Sequence, residues 1–385
     1  MRSDADVLII GAGIIGCAVA RELAARGASV QVVDARDIAR GATQASAGVL
    51  APYIEAHEGG ALLDLTVRSL DLYDGWIETV RAESGIDVGY RRSGSLEVAL
   101  DAASAGRLRG MVTRFAARAE LVWLDGATAR MTEPALSRST LGALSVPTHG
   151  YVSAPILTEA LARGAVSRGA RFHHGVRVAR VDPPVDQRSD HVVVTSDAGV
   201  SWQVKRVVVA AGSWTGQVGG LNDAAAGDVR PVRGQLLRVR WRGSPLAQII
   251  WGPSCYLVPW ADGTVLIGAT TEDVGFEERN TAAGVRTLLD AARALLPQMD
   301  DATFLDARAG LRPATSDGLP IIGPSESSDR IIYATGHYRN GILLAPLTAT
   351  LVADLVIDAH ADPVLQTLSP ARFRTPSAAL KHQAG

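Results

Sequence analysis

Apolar and polar residues alternate along the chain in a pattern that predicts both strands and helices. Two short apolar runs, residues 6–10 and 29–33, are too brief for helices and predict strands, with a helix over residues 14–26 between them. Apolar residues recur at helical spacing over residues 61–83, which predicts an amphipathic helix. Strand-like alternation returns over residues 235–241 and is followed by similar short strands. The order indicates a mixed α/β fold.

The first predicted strand runs directly into a glycine-rich turn, which is the strongest chemical signal in the chain. Gly11, Gly13 and Gly16 occupy the glycine positions of a G-x-G-x-x-G pattern at the start of the predicted helix. Gly11 allows a tight turn, Gly13 lets backbone approach a pyrophosphate, and Gly16 permits close packing of helix on strand. The positive N-terminus of the helix would face the phosphates. Asp34 follows about twenty residues later, where a carboxylate can bond ribose hydroxyls, and it favours FAD or NAD over NADP.

The loop that follows this unit distinguishes between the two remaining candidate cofactors, FAD and NAD. Residues 40–48 are small, carry hydroxyl groups and are punctuated by glycine. Such a loop can run close along a diphosphate toward a flavin ring, whereas a plain NAD-binding domain would continue directly into another helix. The sequence therefore favours FAD.

The pattern also predicts two joined domains, because the chain is long for a single hydrophobic core. The FAD-binding domain is assembled from three pieces, residues 1–85, 145–225 and 300–368, and the substrate-binding domain from residues 86–144 and 226–299. Residues 369–385 are predicted to form a tail.

Three local features are predicted within these domains. Ser153 is expected to cap a helix that runs to about residue 167. Residues 171–181 and 191–197, separated by two prolines, are expected to form a hairpin beside the adenine. Residues 342–360 are expected to form an apolar helix that accommodates Pro346 early in its course.

Composition narrows the class of protein. The chain has 385 residues and a formal net charge of -2, which gives no basic field for nucleic acid. Its only lysines are Lys205 and Lys381, so there is little material for a Schiff-base enzyme, whereas the many arginines can grip carboxylates. These features are typical of a globular enzyme that acts on a small anionic substrate.

Neither a metal site nor a membrane segment is expected. The two cysteines, Cys17 and Cys255, are too few for a disulfide scaffold or a structural zinc site, and they suit a reducing cytoplasm. His173 and His174 are adjacent on a predicted strand, so they would point to opposite faces and make a poor metal pair. Acidic residues stand where a signal peptide needs positive charge, and no apolar window is expected to span a bilayer.

Two C-terminal segments carry a specific resemblance. Residues 309–323, with the sequence AGLRPATSDGLPIIG, and residues 333–346, with the sequence YATGHYRNGILLAP, resemble the FAD-dependent glycine oxidases within the wider D-amino acid oxidase and sarcosine oxidase family. The resemblance implies a Rossmann-like FAD-binding domain, a smaller α+β substrate domain built on an antiparallel sheet, and noncovalent FAD. It also implies oxidative deamination of an amino acid with O2, a role in supplying an imine for the thiazole of thiamine, and a homotetramer.

The resemblance also assigns substrate-binding roles to three residues. Arg312 matches the family's carboxylate clamp, and a planar guanidinium can bind both carboxylate oxygens at once. Tyr256 matches a tyrosine that donates its hydroxyl to the same carboxylate, and Arg339 matches a position near the substrate. No side-chain base is expected, because the lone pair of a neutral amine can drive the departure of hydride from the α-carbon.

The predicted cofactor contacts include the glycine turn, the acid after the second strand, the small-residue loop and the segment before the last long helix. Backbone N–H groups of residues 337–343 and the positive end of that helix are expected to face the flavin pyrimidine. The predicted residues are Gly11, Gly13, Ile14, Ile15, Gly16, Asp34, Ala35, Ala42, Thr43, Ser46, Ala47, Gly48, Val49, Val178, Ala211, Gly212, Trp214, Arg312, His337, Tyr338, Arg339, Asn340, Gly341, Ile342 and Leu343.

Three departures from the pattern of glycine-selective members bear on the substrate. Val49 and Thr271 stand where those members tend to have methionine, and Ser254 stands where a histidine often occurs. Each replacement is smaller, and together they could widen the pocket. Sarcosine, another N-substituted glycine or a small D-amino acid therefore remains an alternative to glycine. A dehydrogenase that passes electrons to a carrier, and a noncatalytic flavin-binding protein, are the alternatives from other classes.

Overall fold

The computed structural model describes residues 5–55, 58–184, 190–358 and 360–374. The strands are β1 (Val7–Ile10), β2 (Val30–Asp34), β3 (Val49–Leu50), β4 (Ser95–Ala99), β5 (Val122–Asp125), β6 (Gly142–Val146), β7 (Gly150–Tyr151), β8 (Arg171–His174), β9 (Val178–Asp182), β10 (Val192–Ser196), β11 (Ser201–Val204), β12 (Arg206–Val209), β13 (Arg230–Arg240), β14 (Ile249–Trp251), β15 (Tyr256–Pro259), β16 (Thr264–Gly268), β17 (Thr303–Ala314), β18 (Ile321–Pro324) and β19 (Ile331–Thr335). The helices are α1 (Ile14–Ala25), α2 (Pro52–Glu55), α3 (Ala61–Ser84), α4 (Ala102–Phe115), α5 (Gly126–Thr132), α6 (Ala154–Ser167), α7 (Ala224–Asp228), α8 (Ala282–Leu295), α9 (Gly341–Ala353) and α10 (Leu365–Leu368).

A six-stranded sheet with the order β18-β19-β12-β1-β2-β8 contains the N-terminal motif. β1 pairs in parallel with β12 and β2, and β2 pairs in parallel with β8, whereas β18 is antiparallel to β19. Helices α1, α6 and α9 pack on one face, and the three-stranded sheet β9–β11 covers the other. Ligands of open α/β sheets bind outside the carboxyl ends of the strands, where the turn after β1 lies.

An eight-stranded sheet forms the second half of the molecule, with the order β17-β13-β16-β15-β14-β4-β6-β5. β14 is parallel to β4, and the other pairings are antiparallel. One face buries the apolar side of α8 through Leu288, Ala292 and Leu295. Both the Rossmann-like sheet and the mixed, largely antiparallel sheet match the predicted α/β fold class.

One predicted strand boundary differs from the structure. The run predicted as one strand over residues 171–181 is divided, because Gly175 adopts a φ of +69° and turns the chain between β8 and β9. β8 joins the six-stranded sheet, and the predicted hairpin is formed by β9 and β10. The predicted start of the third FAD-binding piece at residue 300 stays a prediction; β17, which begins at Thr303, pairs with β13 in the eight-stranded sheet.

Two predicted helix or tail features are also corrected. Ser153 occupies the N-cap position of α6, but its side chain makes no capping hydrogen bond, and its backbone N–H donates instead to the Val88 carbonyl. The predicted tail is folded at its start, where Pro370–Phe373 forms a 3-10 turn and Arg372 Nε pairs with Asp317 Oδ2 at 2.7 Å. The remainder of the predicted tail, residues 375–385, lies outside the described residues.

Helix α9 is a core helix whose N-terminus faces the crevice of the six-stranded sheet. Pro346 lies inside it and cannot donate an N–H to the carbonyl of Ile342. The Tyr73 hydroxyl from α3 donates to that carbonyl at 2.5 Å, and the Ser69 hydroxyl donates to the Leu343 carbonyl at 2.7 Å. These two bonds satisfy the buried backbone around the proline.

The segment that contains α9 departs from the expectation that no apolar window is long enough to cross a membrane. Gly341–Asp358 has a mean hydropathy of 1.7 and reaches that length, but 61% of it is buried inside the protein. Burial on this scale is typical of the core helix of a globular protein.

Replacing Tyr73 with phenylalanine is expected to lower the free energy of unfolding by about 2 kcal/mol, because the buried Ile342 carbonyl would lose its partner. Denaturant unfolding followed by circular dichroism measures the change. Tyr90 is the matched control, since its ring stacks on Tyr73 but its hydroxyl donates to the exposed Asp74. Equal losses for Tyr73→Phe and Tyr90→Phe would contradict the role given to the Ile342 carbonyl.

Candidate active site

A continuous cavity lies between the six-stranded and eight-stranded sheets. It begins at the carboxyl ends of β1 and β2, passes the N-terminus of α9 and reaches Tyr256 and Arg312. Its lining comes from both sheets and from the loops that join them. The cavity can therefore hold a long ligand at one end and a small one at the other.

The end beside β1 is built to receive a dinucleotide. Gly11 adopts a φ of +112°, and an added Cβ would meet backbone atoms of Ala210, so only glycine fits this turn. The backbone N–H of Ile14 donates to Thr43 Oγ1 at 3.1 Å, which fixes the small-residue loop against the start of α1. This arrangement brings the helix N-terminus and a hydroxyl to the same wall of the cavity.

Asp34 closes this end at the tip of β2. Its Oδ2 accepts from the Ala12 N–H at 2.7 Å, and its Oδ1 accepts from the Arg36 N–H at 2.8 Å. Burial raises the pKa of this carboxyl above its ordinary value, although the two backbone N–H donors oppose the shift. Asp34 lines the cavity and can accept hydrogen bonds from ribose hydroxyls.

Most of the predicted cofactor residues line this cavity. They are Gly11, Gly13, Ile14, Ile15, Asp34, Ala35, Ala42, Thr43, Ser46, Ala47, Gly48, Val49, Val178, Ala211, Gly212, Trp214, Arg312, His337, Tyr338, Arg339, Asn340, Gly341 and Ile342. Gly16 and Leu343 do not line it. A Cβ on Gly16 would collide with the Gly11 carbonyl oxygen, so Gly16 serves the packing of α1 on β1, and Leu343 is 2% exposed in the core.

Arg36 is a lining residue that sequence reasoning missed. Its guanidinium lies 4.5 Å from the centre of the Trp214 ring, and its Nη2 is 2.7 Å from Glu278 Oε2. Phe276, from the same loop as Glu278, also packs on Trp214, with ring centres 6.0 Å apart. Its position two residues after Asp34 was the one sequence signal for a place in the cavity. Its partners Trp214 and Glu278 come from distant segments of the chain.

Arg312 is fixed on β17 at the opposite end of the cavity. Its guanidinium lies against the α-carbon of Gly234, and a Cβ at that position would collide with it. Arg312 Nη1 donates to the carbonyls of Thr270 at 2.9 Å and Arg233 at 3.5 Å. Burial lowers the pKa of Arg312 from its ordinary value, and the nearby charge of Arg339 acts in the same direction. A bound carboxylate would supply the counter-charge that this desolvated cation lacks.

Tyr256 lies beside Arg312 at the start of β15. Its ring occupies the space above Gly268, where an added Cβ would come within 2.5 Å of the hydroxyl oxygen, and it contacts Trp251 with ring centres 4.8 Å apart. Burial raises the pKa of the phenol, although the charges of Arg312 and Arg339 oppose this. Tyr256 is therefore a protonated hydroxyl donor at neutral pH.

Arg339 faces a carboxylate that the sequence did not reveal. Glu55, at the end of α2, lines the same cavity, and its Oε2 is 3.8 Å from Arg339 Nε. Burial works against the charged form of Arg339, but Glu55 and Tyr256 outweigh it and raise the pKa of Arg339. The substrate end of the cavity thus contains two cations and one anion.

The three substitution sites predicted to widen the pocket fall in different places. Val49 lines the cavity at β3. Ser254 and Thr271 are exposed and are not among the residues that line it, so their role in substrate binding stays a prediction. The chain after β16 pairs Glu272 with Arg233, and this register directs the intervening Thr271 outward.

The segment before α9 approaches the middle of the cavity through its backbone. Tyr338 has a φ of +48°, and its N–H donates to the Pro313 carbonyl at 2.8 Å. His337 is buried and its Nε2 lies 3.0 Å from Thr348 Oγ1, and desolvation lowers its pKa to about 3. Asn340 is the N-cap residue of α9. Its side-chain oxygen Oδ1 is buried and has no protein partner among the described residues.

Neither cysteine is among the residues that line the cavity. Cys17 and Cys255 are unpaired and buried, and desolvation raises the pKa of both thiols, to about 12 for Cys255. Among the residues that the structure describes, no group of three or more His, Cys, Asp and Glu side chains is placed to hold a metal ion. The polar groups that line the cavity therefore include the arginines, Tyr256, the carboxylates of Asp34 and Glu55, hydroxyl and amide side chains, and backbone groups.

These features fit FAD. The glycine turn and the start of α1 suit a pyrophosphate, Asp34 suits a ribose, and the small-residue loop lines the cavity between them and Arg312. Asn340 Oδ1, which has no hydrogen-bond partner in the described part of the chain, and the N-terminus of α9 offer polar groups to the flavin ring. Such a site defines a dinucleotide-dependent oxidoreductase with a separate pocket for a small acid.

The chain belongs to the FAD dependent oxidoreductase family DAO, whose model matches residues 6–355. Glycine oxidase from Geobacillus kaustophilus is 36% identical over 91% of this chain and 92% of its own length. The crystal structure of that protein has a TM-score of 0.88 with 33% identity and covers 99% of both chains.

Two other relatives widen this comparison. The bifunctional protein ThiO/ThiG of Synechocystis sp. is 36% identical over 97% of this chain, which spans about half (55%) of the relative's length. The crystal structure of iminodiacetate oxidase from Chelativorans sp. has a TM-score of 0.83 with 29% identity, over 94% of this chain and 98% of the other.

Replacing Asp34 with alanine is expected to raise the Kd for FAD by at least about tenfold, because hydrogen bonds from ribose hydroxyls to a carboxylate would be lost. Quenching of FAD fluorescence during titration of the apoprotein measures the Kd. Asp37→Ala is the control, since Asp37 is exposed and outside the cavity lining. An unchanged Kd for Asp34→Ala would exclude the carboxylate as a cofactor contact.

Proposed function

We propose that this protein oxidises glycine, or another small amine-bearing acid, and passes the electrons to O2. The products are an imine, which hydrolyses to glyoxylate and ammonia or an amine, and H2O2. The convergence of Arg312, Tyr256 and Arg339 on the small end of the cavity carries the proposal. Similarity to glycine oxidase over most of both chains supports it.

Arg312 would bind the substrate carboxylate. Its Nη1 is held by two backbone carbonyls, while its Nε and Nη2 have no protein acceptor among the described residues. A guanidinium fixed in this way can donate two parallel bonds to a carboxylate. Tyr256 would add a third donor, and three bonds to one carboxylate would fix the orientation of a substrate as small as glycine.

Removal of the amine proton would not require a side-chain base. His337 is the histidine of the cavity lining, and its pKa of about 3 leaves it neutral and bonded to Thr348. Bound FAD supplies the acceptor for hydride from the α-carbon and the route for electrons to O2. The residues of this chain would hold the α-carbon in place and exclude water while the amine lone pair drives the reaction.

A larger substrate is the second candidate, and Val49 favours it. Val49 lines the cavity and is smaller than the methionine of the glycine-selective pattern. The structural likeness to iminodiacetate oxidase supports an N-substituted glycine such as sarcosine. Small D-amino acids belong to the same range.

The mode of FAD attachment, the compartment, the metabolic role and the oligomeric state are also proposals. Buried cysteines that do not line the cavity support noncovalent FAD, and they suit a cytoplasmic protein. The names of the ThiO/ThiG relatives support a role in supplying an imine for thiamine biosynthesis. We also propose a homo-oligomer, a tetramer by resemblance, and the division into an FAD-binding and a substrate-binding domain.

Glycine is expected to bleach the visible flavin absorbance of the purified protein in the absence of oxygen. Air should restore the absorbance and release peroxide in proportion to the glycine consumed. If glycine fails but sarcosine or a small D-amino acid bleaches the flavin, the second candidate holds. Reoxidation by a quinone but not by O2 would make the protein a dehydrogenase, and a flavin that no amine reduces would make it a noncatalytic binder.

Tyr256→Phe is expected to raise the KM for glycine about fivefold without changing the pH profile of flavin reduction. The loss of one hydrogen bond to the substrate carboxylate accounts for the rise in KM. The profile should persist because ionisation of the substrate amine, rather than of the phenol, controls the reaction. Stopped-flow absorbance between pH 6 and 10 provides the measurement, and disappearance of an apparent pKa in the variant would make Tyr256 a base.

A further inference from the structure

The carbonyl of Thr270 is the closest protein acceptor for Arg312, and a buried polar network determines where that carbonyl lies. After β16 ends, the chain continues beside β13 through two irregular pairings. The Thr270 N–H donates to the Gln235 carbonyl at 3.2 Å, and Arg233 and Glu272 exchange backbone hydrogen bonds at 2.9 and 3.0 Å. The Thr270 carbonyl thereby faces Arg312 Nη1 at 2.9 Å.

The Thr270 hydroxyl joins this short segment to the strand. Its Oγ1 accepts from the Gln235 backbone N–H at 2.9 Å and donates to Glu272 Oε1 at 2.5 Å. Gln235, which is fully buried, donates from its side-chain amide to the same Glu272 oxygen at 2.7 Å. A single carboxylate oxygen therefore holds both Thr270 and Gln235.

The second oxygen of Glu272 binds a buried arginine. Glu272 Oε2 accepts from Arg233 Nε at 3.2 Å and from Nη2 at 2.5 Å, and the Arg233 side chain is only 3% exposed. Removal of this carboxylate would leave the guanidinium with Glu277 as its remaining ion-pair partner among the residues that the structure describes. A network of this kind fixes its members because an unpaired buried charge is costly.

We propose that Thr270 and Glu272 are positioning residues for substrate binding, which hold the Thr270 carbonyl so that Arg312 presents its free N–H groups to the substrate carboxylate. This inference rests on the proposed role of Arg312. Neither residue lines the cavity, so neither is expected to contact the substrate directly. Thr270 and Glu272 would favour the binding of acids indirectly, because the Thr270 carbonyl that they hold in place orients Arg312.

The test compares Thr270→Val, which removes the hydroxyl at nearly constant volume, with Thr270→Ser, which retains it. Titration of the holoenzyme with acetate at constant ionic strength, followed by the flavin difference spectrum, measures carboxylate binding. Thr270→Val is expected to raise the acetate Kd and the glycine KM about tenfold, with a smaller effect on kcat and an unchanged Kd for FAD. Thr270→Ser should retain the parent values.

Two further variants extend the test to the carboxylate. Glu272→Gln keeps the shape of the side chain but weakens its bonds to Arg233, and it should raise the acetate Kd as Thr270→Val does. Glu277→Gln alters the other partner of Arg233, which does not touch Thr270, and should retain parent acetate binding. If Thr270→Val does not fold, Glu272→Gln decides the question by the same measurements.

The outcomes distinguish this inference from the proposed function. Acetate binding and glycine KM within twofold of the parent in Thr270→Val, or equal losses in Thr270→Val and Thr270→Ser, would overturn the positioning role. Arg312→Met serves as the separate control. If Arg312→Met binds acetate as the parent does, the carboxylate role of Arg312 itself fails, whatever the Thr270 variants show.

Discussion

The antiparallel pairing of β13 with β17 is the constraint on which the active site depends. It connects the two sheets, because the C-terminal end of β17, while still paired with β13, packs on the loops of the nucleotide-binding half. A Cβ on Gly310 would meet Ala45 at 2.8 Å, and the Ser213 hydroxyl donates to the Leu311 carbonyl at 2.9 Å. Two residues after this close contact, Arg312 enters the cavity. Backbone packing therefore sets the distance between the carboxylate pocket and the cofactor crevice.

Two glycines shape the site because they have no side chain. Gly234 and Gly268 lie on neighbouring strands, and each leaves space that a functional group fills, the guanidinium of Arg312 over the first and the phenol of Tyr256 over the second. A side chain also compensates for a missing group in α9. Pro346 removes the helix hydrogen bond to the Ile342 carbonyl, and the Tyr73 hydroxyl replaces it. The helix can then direct its N-terminus toward the cavity while its apolar body remains in the core.

Local patterns predicted much of this molecule, and long-range pairing explains the rest. The spacing of glycines and apolar residues was enough for β1, α1 and β2, and α3 ends one residue beyond its predicted boundary at residue 83. Glu55 escaped prediction because it lies on a four-residue helix placed only by tertiary packing. The orientation of Thr271 could not be predicted from local sequence, because it depends on the Arg233–Glu272 pairing, which involves residues 39 positions apart.

The burial of both cysteines has a consequence for a protein proposed to generate hydrogen peroxide inside its own cavity. Peroxide attacks the thiolate, and desolvation keeps Cys17 and Cys255 protonated and out of contact with solvent. Self-inactivation by thiol oxidation is therefore disfavoured by the fold itself. Oxidation would fall first on sulfur at the surface, where Met131 is 81% exposed and does not line the cavity, so that the damage would leave turnover intact.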